Sequence, residues 1–170
     1  MSRVPAVTLQ GVEYAWPGQP PLLSIEALEV QAGETLFLRG PSGSGKSTLL
    51  GLLGGVLAPQ RGTIRVLDTE LTALSASARD RFRGEHIGFI FQMFNLIPYL
   101  SVRENVVLPA RFSRARSGRL HGAAPAAEAE RLLRALGVGA AELIDRPVTQ
   151  LSIGQQQRVA AARALLGRPN

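Results

Sequence analysis

The 170-residue chain has no cysteine, a single lysine and few aromatic residues, which make up 5% of the sequence. The absence of cysteine excludes disulfides, thiolate nucleophiles and cysteine-based metal sites. No apolar run approaches the roughly 20 residues that span a bilayer, and the N-terminus has no signal-peptide pattern. An apolar fraction of 45% is ordinary for one soluble globular domain, and we expect a cytoplasmic location.

Positive charge comes from arginine rather than lysine. Eighteen arginines and the one lysine face 13 acidic residues, which leaves a formal net charge of +6. The arginines are scattered, except for a loop-like stretch that contains Arg111, Arg114, Arg116 and Arg119. We interpret most of them as solvated surface charge, with contact to acidic lipid headgroups or a protein partner as the alternative. A nucleic-acid partner is not expected, because no aromatic residues interleave with these arginines as stacking platforms.

Apolar and alternating stretches predict short strands at residues 4–9, 12–16, 25–30, 35–38, 63–67 and 87–91. Helical spacing and capping signals predict helices at residues 46–57, 75–82, 101–111, 126–136 and 154–166. We expect the polar stretch 113–125 to be mobile. A strand that leads into a glycine-rich loop and then a helix predicts an α/β fold with a parallel sheet. Residues 92–151 are predicted to form a helical insertion in it.

The one lysine lies in the most distinctive segment of the chain, Gly40-Pro41-Ser42-Gly43-Ser44-Gly45-Lys46-Ser47-Thr48. This segment matches G-x-x-x-x-G-K-[ST], the pattern of a phosphate-binding loop. Glycines let the backbone curl until several N–H groups face one anion, and the following helix adds its positive end. Lys46 is placed to reach the β- and γ-phosphates of a nucleotide, and the Ser47 hydroxyl is a candidate Mg²⁺ ligand. The loop alone leaves kinases, GTPases, recombinases and transporters open.

Two further motifs narrow this choice. Leu151-Ser152-Ile153-Gly154-Gln155-Gln156-Gln157-Arg158 closely resembles the LSGGQ signature of the ATP-binding cassette (ABC) family, and Phe91-Gln92 resembles its Q-loop. The three motifs occur in family order, and the resemblance covers essentially the whole chain. It implies a P-loop NTPase (RecA-like) fold with a parallel sheet core, an N-terminal antiparallel β part and a helical insertion subdomain. Residues 1–91 would form the nucleotide-binding core, and residues 92–170 the Q-loop, helical subdomain and signature helix.

The resemblance implies that the first half of the chain binds ATP with Mg²⁺. Trp16 resembles the aromatic residue that stacks on adenine in this family. Tyr14 is the second candidate for that position, and a core or turn role for Trp16 is the alternative. Lys46 and Gln92 match the catalytic positions, and Ser47 and Gln92 match the positions that contact Mg²⁺. Gln92 would also contact the attacking water, with a plain solvated glutamine as the alternative.

The same resemblance implies that the signature acts on a second copy of the site. Ser152, Gly154 and Gln155 would close over the γ-phosphate of ATP held by another subunit, in a head-to-tail dimer. A serine hydroxyl, free N–H groups and a helix N-terminus make physical sense as an anion clamp. An ordinary N-cap serine is the alternative. Ile153 departs from the signature, which has glycine there; a β-branched residue would be strained at positive φ but unstrained at negative φ.

Residues 95–106 resemble the ATPases of lipoprotein-releasing and macrolide-efflux transporters. This implies an ATP-binding subunit that couples ATP binding and hydrolysis to a transmembrane permease, located in the cytoplasm as a peripheral protein on the inner face of the membrane. Phe94, Leu96 and Tyr99 are candidates for a permease-binding groove, or for contacts within the helical region. A soluble ABC-type ATPase that acts on nucleic acid or ribosomes is the alternative function.

The second departure from the family concerns catalysis. After the signature helix the family has an apolar strand ending in Asp-Glu, which supplies a Mg²⁺ ligand and the catalytic glutamate, and then a histidine. The printed sequence ends at Asn170 before such a strand, and His86 and His121 match no family position. We therefore expect the 170-residue chain to be a fragment that binds ATP but does not hydrolyse it.

Overall fold

The structure, a computed structural model, describes residues 5–169. The chain divides into two units with the boundary between Asp80 and Arg81. The boundary expected from sequence, between residues 91 and 92, stays a prediction. Each unit has its own secondary structure and is described by itself below.

A four-stranded antiparallel sheet forms the first unit. Its strands are β1 (Pro5–Ala15), β2 (Pro21–Gln31), β3 (Arg61–Val66) and β4 (Thr69–Glu70), in the spatial order β2-β1-β3-β4. The helix α1 (Lys46–Leu53) lies against β3, and a short 3-10 helix spans Leu71–Ala73. The buried apolar residues of this unit form its core: Leu9, Val12, Tyr14, Leu49, Leu52, Ile64, Val66 and Leu71.

β1 joins the two strands that were predicted at residues 4–9 and 12–16. An irregularity at Gly11 (φ 57°) connects them, and the pairing with β3 shifts register between Gln10 and Glu13. Opposite, Gly62 (φ 83°) lies so close that an added Cβ would collide with the Gly11 carbonyl. Glycine at both positions permits this bulge. The extra residue shifts the alternation of side chains along β1, so Leu9 and Val12, which are three residues apart, both face the core.

The prediction of strands at residues 35–38 and 87–91 is wrong, since neither segment has regular structure. A strand needs a neighbour that pairs with its N–H and C=O groups. Within residues 5–169 all strand pairings are antiparallel, and none includes these two segments. Their apolar pattern is therefore not accompanied by burial: Phe37 is 81% exposed, and Ile90 and Phe91 are exposed as well.

The second unit is helical. The helix α2 (Ala76–His86) crosses the boundary, and after it come α3 (Val102–Phe112), α4 (Arg114–Gly118), α5 (Pro125–Ala135), α6 (Ala141–Ile144) and α7 (Ile153–Leu165). A 3-10 helix spans Val148–Gln150. α3 packs against α5 and α7 around fully buried side chains that include Val102, Val106, Leu133 and Val159. None of the helices within residues 5–169 is both long and apolar enough to cross a bilayer.

The stretch 113–125, expected to be a mobile polar loop, contains a short helix, α4. Ser113 caps α4 by accepting a hydrogen bond from the Arg116 N–H at 3.1 Å. Arg116 itself is only 2% exposed, so it is not the solvated surface charge that the composition suggested. Its guanidinium bonds to backbone carbonyls distant in sequence, which a local pattern does not reveal.

Candidate functional site

The glycine-rich loop begins the candidate site in the first unit. Two of its glycines, Gly43 (φ 82°) and Gly45 (φ 86°), take the left-handed backbone conformation that favours glycine. Space is also limited, because a Cβ added to Gly40 would lie 2.6 Å from Ser44 Oγ, and one added to Gly45 would lie 2.6 Å from Leu23 Cδ2. The loop then enters α1 at Lys46, as predicted, with Gly45 as the N-cap.

Lys46 folds back over the loop that precedes it. Its Nζ donates to Gly40 O at 2.8 Å and to Pro41 O at 2.7 Å, with a longer contact of 3.4 Å to Ser44 Oγ. The ammonium group therefore stays beside the loop, rather than extending into solvent. An anion held by this loop would have a positive charge directly beside it.

The loop and the first turn of α1 present unused donors. Within the part of the chain that the structure describes, the N–H groups of Gly43, Gly45, Lys46 and Ser47 donate to no protein acceptor. The first N–H groups of a helix have no partner inside the helix, and they carry its positive dipole. Four free donors together with one ammonium are what a phosphate group needs.

Of two neighbouring aromatic residues, Tyr14 lies in β1 and Trp16 follows the end of that strand directly. Gly45 is next to Leu23, and Leu23 pairs across the sheet with Tyr14. The rings of Tyr14 and Trp16 meet edge to face, with centroids 5.3 Å apart. Tyr14 is 6% exposed whereas Trp16 is 41% exposed, so of these two residues Trp16 is the one accessible to a ligand. The geometry favours Trp16 over Tyr14 as a stacking residue.

Gln92 lies in the second unit, at the start of a tight turn. Its side chain is exposed, and the structure gives it no hydrogen-bond partner within residues 5–169. The turn continues through Phe94 (φ 59°) and Asn95 (φ 48°), two non-glycine residues in the left-handed region. Arg163 of α7 holds both of their carbonyl oxygens at 2.6 Å.

The signature segment forms the start of α7 through a capping box. Ser152 Oγ accepts from the Gln155 N–H at 3.3 Å, and Gln155 Oε1 accepts from the Ser152 N–H at 2.9 Å. Ser152 is thus an N-cap residue, as the alternative interpretation held. Its hydroxyl hydrogen remains available, since Oγ acts as an acceptor in the capping box. The N-cap role and an anion-binding role are therefore compatible.

The structure decides the backbone conformation at Ile153. Ile153 is the first residue of α7, has no positive φ and is 75% exposed, so isoleucine causes no strain. Gly154 follows with an exposed surface, and a Cβ added to it would meet nothing within 4 Å. Both signature residues are accessible on the surface of the second unit.

Comparison with known proteins connects these features to a family. The sequence profile of the ABC transporter family matches residues 23–170. The chain is also 46% identical over 170 residues to the lipoprotein-releasing system ATP-binding protein LolD of Anaeromyxobacter dehalogenans, which covers 97% of this chain and 68% of LolD. The chain belongs to the ABC transporter family. It is also 48% identical over 139 residues to the macrolide export ATP-binding/permease protein MacB 1 of Aeromonas hydrophila, covering 82% of this chain and a fifth (20%) of MacB 1.

Solved ABC cassettes share the fold. The dimeric structure of MJ0796, a bacterial ABC transporter cassette, matches with a TM-score of 0.83 and 34% identity, over 96% of this chain and 70% of that chain. A dimeric post-hydrolysis state of MJ0796 bound to ADP and Pi matches with a TM-score of 0.78 over the same shares. The expected ABC ATPase fold class, with its antiparallel β part and helical unit, is therefore confirmed. The expected parallel sheet core is not seen within residues 5–169, where every strand pairing is antiparallel.

The ABC motifs are distributed over the two units. The first unit brings together the loop Gly40–Thr48 and Trp16, through Leu23 and Tyr14. The second unit brings together the Gln92 turn and the signature helix, through Arg163. Sequence reasoning missed Arg163 and the fully buried Asn105, which bonds to the loop after Gln92. A polar residue on an otherwise apolar helix face was the available signal for Asn105.

The residues present fit a Mg²⁺ ion that arrives with a nucleotide. Within residues 5–169 there is no cluster of three or more histidine or acidic side chains that could hold a metal by itself. Mg²⁺ bound to a nucleotide takes most of its oxygen ligands from phosphates and water, and needs only one or two from protein. The exposed Ser47 hydroxyl, in the first turn of α1, is such a ligand. The other predicted Mg²⁺ contact, the exposed Gln92 amide of the second unit, stays a prediction.

Proposed function

We propose that this chain is the ATP-binding part of an ABC transporter, in which ATP binding and hydrolysis drive a membrane permease. In this role the loop Gly40–Thr48 holds the phosphates, Lys46 contacts the β- and γ-phosphates, and Ser47 is a Mg²⁺ ligand. Trp16 stacks on the adenine. Gln92 is the second Mg²⁺ contact and orients the attacking water.

The free donors of the loop carry the proposal. Four N–H groups without a protein acceptor, beside one ammonium, support an anion site whose donors are free before any ligand arrives. Preorganised donors bind more tightly, because the ligand does not have to order them. Lys46 would exchange its bonds to Gly40 O and Pro41 O in part for phosphate oxygens, at little conformational cost.

The exposed signature supports a dimer as the working unit. Ser152, Gly154 and Gln155 lie at the N-terminus of a 13-residue helix, where the dipole favours an anion. We infer that they close over the γ-phosphate bound by a second, head-to-tail copy. ATP would then favour the closed pair of subunits, because its γ-phosphate has partners on both sides only in that state.

The relatives suggest the kind of membrane partner. LolD is named for a lipoprotein-releasing system, and MacB 1 for macrolide export. We propose that the chain lies on the inner face of a membrane and binds a permease near the Gln92 turn. Of the predicted groove residues, Tyr99 is exposed and available to such a partner, whereas Leu96 packs against the core of the second unit.

A polypeptide of these 170 residues is expected to bind ATP without turning it over. Among the printed residues, no apolar strand ending in Asp-Glu follows the signature helix, so the carboxylates that bind Mg²⁺ and activate water in the family have no counterpart. Phosphate positioning by Lys46 alone does not generate the nucleophile.

The single tryptophan gives a direct test of nucleotide binding. MgATP is titrated into the 170-residue polypeptide, while binding heat and Trp16 fluorescence are recorded together. We expect saturable binding with a fluorescence change, and a loss of at least about tenfold in affinity for Lys46→Ala, because a charged hydrogen-bond donor to phosphate is removed. Phosphate release should stay at the level of the Lys46→Ala variant.

Arg61→Ala is the matched control, since it also removes an exposed cation from the first unit. It should leave the affinity unchanged. Equal affinity of wild type and Lys46→Ala would refute the nucleotide site at this loop. Binding heat without a fluorescence change would refute only the role of Trp16, and steady Lys46-dependent hydrolysis would refute the expected lack of turnover.

A further inference from the structure

The turn after Gln92 contains two consecutive residues in the left-handed backbone region. Phe94 has φ 59° and Asn95 has φ 48°. Asparagine tolerates this region better than most residues, whereas phenylalanine adopts it rarely and at a cost. Within the turn, the Phe94 N–H donates to Phe91 O at 2.9 Å, and the Asn95 N–H donates to Met93 O at 2.6 Å. Such a backbone persists only when the surrounding structure holds it in place.

A side chain of the signature helix provides this support. Arg163 donates from Nη2 to Phe94 O and from Nη1 to Asn95 O, both at 2.6 Å. The acceptors are the carbonyls of the two left-handed residues themselves. A planar guanidinium presents its donors as a rigid fork, so it holds two adjacent carbonyls in one relative orientation. The contact joins segments 68 and 69 residues apart in sequence.

The guanidinium of Arg163 is committed to this contact. The side chain is half-buried, and burial lowers the pKa of Arg163, although an arginine stays protonated in a protein. Within residues 5–169 no carboxylate forms an ion pair with it. Backbone carbonyls of the turn are thus its acceptors, and no acidic side chain among the described residues competes with them for the guanidinium.

We propose that Arg163 is a positioning residue that ties the Gln92 turn to the signature helix α7. α7 begins directly after Ser152, and the turn begins at Gln92. A displacement of the helix would therefore be transmitted to the turn, and a displacement of the turn would be transmitted to the helix. Arg163 acts through the backbone of Phe94 and Asn95 and does not touch the nucleotide. The inference rests on the proposed function, which gives both motifs a task in ATP binding.

Hydrogen–deuterium exchange of the 170-residue polypeptide, without nucleotide, tests this role. In Arg163→Gln we expect the amides of residues 91–99 to exchange at least about tenfold faster than in wild type, because two hydrogen bonds to a charged group are lost. The amides of α7 should keep their rates to within about twofold, since the helix has its own hydrogen bonds. Arg163→Lys keeps the charge but not the fork, and should give an intermediate rate.

Arg131→Gln is the matched control, because it removes an exposed arginine that pairs with Glu128 in the same unit. It should not change exchange in residues 91–99. Wild-type exchange there in Arg163→Gln would overturn the proposal. Equal acceleration throughout α7 would also overturn it, because Arg163 would then support the helix in general.

A second comparison applies even if Arg163→Gln fails to fold. Asn95→Gly removes a left-handed residue that needs support, because glycine adopts this region freely. The acceleration caused by Arg163→Lys should therefore be smaller in the Asn95→Gly background, and an equal acceleration in both backgrounds would contradict the proposal. No arm of the experiment uses nucleotide. Failure of ATP binding at Lys46 would overturn the proposed function and leave the exchange result standing. Unchanged exchange in Arg163→Gln would overturn the role of Arg163 and leave the proposed nucleotide site standing.

Discussion

At the scale of single residues, Arg116 is a buried cation with backbone carbonyls as its partners. Its guanidinium donates to Gly84 O at 2.7 Å, Ile87 O at 2.6 Å, Leu166 O at 2.8 Å and Ala164 O at 3.2 Å. These carbonyls lie at the ends of α2 and α7, where helical carbonyls have no internal partner. Burial, more than any neighbouring charge, lowers the pKa of Arg116. One side chain thus donates to carbonyls at two helix ends.

Arg116→Met should destabilise the chain strongly. The change keeps an apolar stem but leaves several carbonyls without donors, and we expect the free energy of unfolding in urea to fall by about 3 kcal/mol or more. Arg114→Met is the control, because Arg114 is exposed on the same helix, and it should cost less than about 0.5 kcal/mol. Similar losses for the two variants would show that the bonds of Arg116 contribute little.

At the scale of elements, the first turn of α3 organises the loop before it. Ser101 and Glu104 form the predicted capping box, with the Ser101 N–H donating to Glu104 Oε2 at 2.8 Å. The hydrogen bonds from Ser101 hold the pKa of Glu104 below its ordinary value. One residue further, the fully buried Asn105 accepts from the Ile97 N–H at 2.7 Å and donates to Ile97 O at 3.0 Å and Leu100 O at 3.3 Å. Its amide replaces the backbone partners that the loop lacks.

Asn105→Leu should therefore loosen this loop. Leucine branches at the same atom as asparagine but has no polar atoms, so the backbone groups of Ile97 would be left unsatisfied, and we expect a loss of about 2–4 kcal/mol in urea unfolding. Chymotrypsin should also cut faster at the exposed Tyr99. Glu104→Gln retains an acceptor for the capping box and should cost only a few tenths of a kcal/mol. Unchanged stability and cleavage in Asn105→Leu would contradict this account.

At the scale of the whole molecule, the structure of residues 5–169 does not require glycine at position 154. It lies in α7 without a positive φ, and a Cβ added to it would meet nothing within 4 Å. Glycine costs a helix up to about 1 kcal/mol relative to alanine. Glycine at the exposed start of α7 leaves room for another molecule to approach the backbone closely. The proposed second copy, with its bound ATP, is such a molecule.

Gly154→Ala should consequently stabilise the isolated chain and weaken its assembly. We expect a slightly higher melting temperature, from a gain of at most about 1 kcal/mol. MgATP-dependent self-association, measured by analytical ultracentrifugation, should be reduced. Gly84→Ala is the matched control: Gly84 is also helical with no atom near an added Cβ, so this change should stabilise the chain without affecting association. If Gly154→Ala associates as strongly as wild type, or if wild type does not self-associate with MgATP, the proposed dimer is contradicted.

The sequence by itself determined what depends on nearby residues. The turn of Gly40–Lys46 and the two capping boxes, Ser101 with Glu104 and Ser152 with Gln155, use hydrogen bonds and backbone angles within a few residues. Such features can be predicted from spacing and residue type, because their partners are adjacent in the chain. The family and its fold class followed from the same local motifs.

Only the tertiary structure decided what depends on distant partners. Residues 35–38 and 87–91 have apolar, strand-like sequences but no pairing neighbour within residues 5–169, and they stay irregular. The sequence suggested surface charges for Arg116 and Arg163. In the structure Arg116 donates to helix-end carbonyls up to 50 residues away, and Arg163 donates to carbonyls of the Gln92 turn up to 69 residues away. A hydrogen bond depends on distance in space, and a sequence records only distance along the chain.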